Sequence, residues 1–161
     1  MDVLWVTLFA TAMGYVEAAV VVYLRDHYYP DGFPVPVQLG RMPLRFTRIP
    51  EFEGRMPART LRTEVGREAA TIVMLLTLAL LAGGSFPHAL GVFLLAFGVW
   101  DITYYLFLKL LIGWPASLKT LDVLFLIPVP WIGPVWLPVS ISAVMVGCGV
   151  WLIVGASAGG G

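Results

Sequence analysis

The sequence predicts an all-α integral membrane protein: a four-transmembrane-helix bundle with a long cytoplasmic loop between helices 1 and 2 and a proline-rich interfacial or re-entrant segment before helix 4. Three observations predict it. Of 161 residues, 59% are hydrophobic and only 12% charged, with a mean hydropathy of +0.86, whereas roughly a quarter of a soluble domain is charged. Four stretches approach the ~20 apolar residues needed to cross a hydrocarbon core. All eight arginines lie between Arg25 and Arg67, so a formal net charge of zero conceals a strong asymmetry along the chain.

The first span covers residues 3–24 and stops at Arg25. It reads as a retained helix instead of a cleaved leader, because Asp2 stands where a basic start is usual and Glu17 interrupts the apolar run without a small-residue cleavage site. Spans 2 and 3 cover residues 65–84 and 89–112. No Asp, Glu, Lys or Arg occurs between Glu68 and Asp101, so these two spans form a hairpin around the Gly-Gly-Ser-Phe-Pro-His turn at 83–88. Span 4 covers residues 135–156 and leads into a glycine-rich tail that is expected to fray. The connector at 122–134 contains Pro128, Pro130 and Pro134. It is too short and too poor in backbone donors to cross alone, and irregular backbone at depth survives only against protein or water. The whole chain reads as a single membrane domain.

Orientation follows from the basic residues. The positive-inside rule puts the 26–63 loop and the turn around Lys119 in the cytoplasm and both termini outside, as expected for a prokaryotic inner or plasma membrane. Within the loop, Arg41-Met-Pro, Arg48-Ile-Pro and Arg55-Met-Pro recur every seven residues. The prolines exclude a coiled coil, so an ordered, extended or turn-rich segment is expected. Arg41, Arg45, Arg48, Arg55, Arg59 and Arg62 are then candidates for contact with anionic lipid headgroups or a partner. Nucleic acid is not expected, because membrane-adjacent arginines have a simpler electrostatic partner in lipid. The single cysteine, Cys148, excludes an intrachain disulfide.

The most informative residues are Glu17 and Asp101, set inside apolar spans where a charged side chain costs about 3 kcal/mol on insertion scales. Glu17 lies eight residues, or ~12 Å of straight helix, before Arg25. Its neighbours on the same helical face are Met13, Gly14, Val20 and Val21, so any polar partner must come from another span. Glu64 and Glu68 share one face of span 2, one turn apart, with Arg67 beside them. With Asp122, these acids converge on the cytoplasmic half. Arg25, Arg67, Trp100, Tyr104, Tyr105 and Lys109 are the expected charge partners or pocket lining, and Gly14 and Gly98 should allow close helix approach.

Several readings fit this pattern. Glu17 or Asp101 could simply pair with Arg67, Arg25, Lys109 or a tyrosine hydroxyl and fix helix register. Alternatively, Glu17, Glu64, Glu68, Asp101 and Asp122 form a cation- or proton-binding site supporting transport or membrane-bound chemistry, with a hard cation as the possible cofactor. A lipid-modifying enzyme is a third reading, and a non-catalytic subunit of a larger membrane complex a fourth. Four short spans enclose little space, so a homo-oligomer or a larger assembly is expected. His27 and His88 fall on opposite faces, and no Glu-x-x-His, CxxC or P-loop occurs, which removes the common di-iron, zinc and nucleotide signatures.

Overall fold

Apolar sequence of helical length gives a mostly helical chain. The computed structural model describes residues 3–29, 45–46 and 56–158. The elements are α1 (Val3–Tyr28), β1 (Arg45–Phe46), α2 (Ala58–Leu81), α3 (Phe86–Ile112), β2 (Leu121–Phe125), β3 (Trp131–Pro134) and α4 (Trp136–Ala158). Among the described residues, α1, α3 and α4 are long and apolar enough to cross a membrane.

Helix α2 is not apolar enough to qualify, so three of the four expected spans are found by length and composition. The helix begins at Ala58, directly after Pro57, whose carbonyl accepts the Leu61 N–H at 3.1 Å. Proline is tolerated there because the first turn has no intrahelical use for its missing donor. The early start draws Arg59 and Arg62 out of the expected loop and onto the first turns of α2, where both are exposed. Together with Glu64, Arg67 and Glu68 they make the first half of α2 polar and leave its second half apolar.

The chain is also not all-α. The backbone of residues 121–134 is not irregular but forms a β-hairpin that β1 extends into a three-stranded antiparallel sheet of order β1-β3-β2. The prolines permit this because of where they fall. Pro128 and Pro130 lie between the strands, and Pro134 ends β3 opposite Leu121, positions at which a missing ladder donor costs little. Two further bonds, from Val135 N–H to the Thr120 carbonyl (3.0 Å) and from Trp136 N–H to the Leu118 carbonyl (2.8 Å), carry the pairing up to the start of α4.

Helix α3 is central and packs against α1, α2 and α4. Its end is set by Gly113, whose φ of 69° closes the last turn with a 3.1 Å bond to the Lys109 carbonyl, the left-handed conformation that glycine adopts without strain. The core joins Val6 and Ala10 of α1, Leu75 and Ala79 of α2, Val92, Leu95, Ala96 and Trp100 of α3, and Ile153 of α4. These residues occupy one half of the bundle, and the helices carry no Asp, Glu, Lys or Arg over residues 3–16, 69–81, 86–100 and 136–158. Small residues set the spacing. A Cβ on Gly14 would collide with Thr103 of α3, and one on Gly98 would lie 2.5 Å from the Ser142 carbonyl oxygen of α4.

Candidate functional site

The other half of the bundle holds the charges. A cavity of about 160 Å³ lies where the end of α1, the start of α2, the second half of α3 and strand β2 meet. The five predicted acids, Glu17, Glu64, Glu68, Asp101 and Asp122, all line it, as do Arg25, Arg67, Trp100, Tyr104 and Tyr105. Lys109 does not join them. It is exposed, and its ammonium donates to the Gly113 and Pro115 carbonyls at 2.9 Å each, capping the end of α3.

Glu17 finds its partner on another helix, as its apolar neighbours require. The Arg67 guanidinium donates Nη1–H to Glu17 and Nε–H to Glu64 at 2.8 Å, so one cation holds two carboxylates from α1 and α2. The spacing of Glu64 and Arg67 gives the second bond, since side chains three apart share a helix face. Arg25 turns elsewhere. It lies 3.5 Å from Asp122 and stacks over Trp114 with its guanidinium carbon 3.7 Å from the ring centroid, a cation–π contact. Trp114 thus belongs to the charged network.

The remaining two acids accept hydrogen bonds from neutral donors. Glu68 accepts the Leu126 N–H with both oxygens, at 2.9 and 3.0 Å, which ties the β2–β3 turn to α2. Asp101 accepts the Ser142 hydroxyl at 2.8 Å, from α4. Ser142 and Leu126 were not foreseeable from sequence. A serine in an apolar helix is unremarkable, and Leu126 contributes only its backbone. Trp100 lines the cavity and is 5% exposed, yet its indole N–H is buried without a hydrogen-bond partner.

Asp122 lies outside the spanning helices and is 4% exposed. Burial pushes its carboxyl up from 3.8 to about 6, against the opposing pull of the Arg25 guanidinium and the Tyr105 hydroxyl, which donates to it at 3.2 Å. Between those two pH values the folded chain binds more protons at this site than the unfolded chain does. Stability therefore falls as pH rises through this window and levels off above it, by about 3 kcal/mol in all. Asp122→Asn is expected to remove this component. Detergent-unfolding titrations at several pH values would check it, and identical pH slopes in both proteins would show that another group is responsible.

Neither His27 nor His88 lines the cavity. His27 packs edge-on against Tyr28, with centroids 4.5 Å apart, and the His88 ring lies 3.0 Å from the Gly83 carbonyl in the turn between α2 and α3. Arg45 belongs to β1, whereas Arg41, Arg48 and Arg55 lie outside the described residues. Among the described residues, no group of three or more His, Cys, Asp or Glu side chains is arranged to hold a metal ion. Comparison with protein-family models, curated proteins and solved structures finds no match.

Proposed function

We propose that the protein is a four-span membrane protein that holds exchangeable protons in a one-sided acidic cavity and uses them in membrane-bound chemistry, not in conduction across the bilayer. The observation that carries this reading is a charge imbalance: five carboxyl groups and two guanidinium groups line the same cavity. Like charges crowded into a poorly solvated space cannot all remain ionised, so the excess carboxyls hold protons or attract a cation. The lack of a ligand trio among the described residues favours protons over a hard metal ion, which takes six or more oxygens.

One-sidedness rests on the opposite half of the bundle, where the core is apolar and the described helices carry no Asp, Glu, Lys or Arg. The reading of α2 as a fourth span rests on its surface. Val73, Met74, Leu76, Leu80 and Leu81 are exposed apolar residues, while Glu64 and Glu68 turn inward. The positive-inside rule then puts the cavity end, with its arginine-rich loop against anionic headgroups, in the cytoplasm and both termini outside.

Infrared difference spectroscopy in liposomes tests the proposal. A protonated-carboxyl band should fade as pH rises, and it should shrink in Glu68→Gln and Asp101→Asn. Liposomes containing the protein should pass protons no faster than protein-free ones. Absence of any titrating carboxyl would sink the proton site, and a channel-like flux would sink its one-sidedness.

A further inference from the structure

We infer that the β2–β3 hairpin is a lid over the acidic cavity, latched while the Asp122 carboxyl is neutral and loosened when that group gives its proton to water. This inference deepens the proton-site reading above, on which it rests for what the lid encloses, and adds regulated access to it. Residues 122–126 of the hairpin form one wall of the cavity, so lifting the hairpin uncovers the site.

The hairpin is fastened unevenly. At its base the Val135 and Trp136 amides donate to the Thr120 and Leu118 carbonyls, and β3 runs directly into α4. On its other side two carboxyl groups tie it to α1, α2 and α3. Asp122 accepts from Arg25 and Tyr105, and Glu68 accepts the Leu126 amide. One proton can alter a carboxyl tie, whereas backbone bonds do not titrate. The base is therefore the hinge, and the carboxyl side is the edge that lifts.

Asp122 is the weak tie. It is buried, its contact with Arg25 is long at 3.5 Å, and that guanidinium also stacks on Trp114. From α3, Tyr105 donates to it, and Asp101 and Tyr104 lie within its electrostatic reach. Across the cavity Arg67 of α2 is shared by Glu17 of α1 and Glu64, and Glu68 adds a further carboxyl. An ionised Asp122 is cheaper in water than in this setting, and the neutral acid carries no such penalty. Burial accordingly holds the group at about 6, against 3.8 for a solvated aspartate.

The hairpin carries a second unmet group. The Trp131 indole N–H is buried without an acceptor among the described residues, a cost that water relieves on opening. Phe125, packed against the apolar core, keeps the closed form the resting one. Between 3.8 and about 6 the closed form binds more protons than the open form. The open-to-closed ratio therefore rises with pH through this window and levels off above it. Strand β1 pairs with β3, so part of the arginine-rich loop rides on the lid.

Double electron–electron resonance in nanodiscs tests the inference, with spin labels on Val129 in the hairpin turn and Thr63 on α2, both exposed, and Cys148→Ser to remove the native thiol. A longer distance should gain population as pH rises from about 4 to about 7, the open-to-closed ratio growing about fiftyfold. Asp122→Asn is neutral at every pH and should keep the short distance throughout. Tyr105→Phe removes a hydroxyl that favours the carboxylate and should extend the rise to higher pH, so the inference stays testable if the asparagine variant fails to fold.

A pH response that survives in Asp122→Asn, or one that Tyr105→Phe leaves unchanged, overturns the inference. A fixed distance alongside a titrating carboxyl band overturns the lid and leaves the proton site standing. A fixed distance without such a band overturns the two readings together.

Discussion

Arg67→Met is expected to cost about 4 kcal/mol of unfolding free energy, the largest effect of any single substitution at the site. Methionine keeps much of the side-chain volume and removes the cation, so Glu17 and Glu64 both lose the group that neutralises them. Removing one partner of a buried pair costs about 3–5 kcal/mol, because the charge left behind is neither solvated nor paired. The Arg67 side chain is 25% exposed and those of Glu17 and Glu64 are 14% and 10% exposed, so water offsets only part of the penalty. The triple variant Glu17→Gln/Glu64→Gln/Arg67→Met removes the stranded charges and should recover more than half of the loss. Unfolding titrations in detergent would measure both. A loss below about 1 kcal/mol for Arg67→Met would place the triad among solvated surface pairs, which are worth that little.

The need of Glu17 for a partner on another span was legible in the sequence because the physics there is local and severe. An acid within an apolar helix, without polar neighbours on its own face, needs a partner from elsewhere, and Arg67 was one of a few cations near enough in depth. The grouping of Glu17, Glu64, Glu68, Asp101 and Asp122 followed from depth along each helix alone. Pairing was less legible. Arg25 and Asp122 are 97 positions apart, and no periodicity relates a helix end to a strand. The hairpin was hidden because prolines that exclude a helix allow either a coil or a turn between two short strands. Only the register of β2 against β3 decides between them. Helix α2 misled in the other direction: its polar start read as loop, although every charge on it lies within a continuous helix.

The second large effect arises where α3 and α4 meet. Gly98→Ala is expected to destabilise the bundle by about 3 kcal/mol, the upper range for overpacking. The added methyl would lie 2.5 Å from the Ser142 carbonyl oxygen and 2.8 Å from Val146 Cγ2. The valine can rotate, but the carbonyl belongs to the α4 backbone and yields only if the helix moves. Such a shift also pulls the Ser142 hydroxyl away from Asp101, three residues along α3 from the new methyl, so the infrared signature of the Asp101 carboxyl should change with stability. Gly147 on α4 provides the control. A Cβ there meets nothing within 4 Å, and Gly147→Ala should be neutral or stabilising by up to about 1 kcal/mol through helix propensity alone. Equal effects at the two glycines would show that α3 and α4 tolerate wider spacing, and the link from helix packing to the acid site would fail with it.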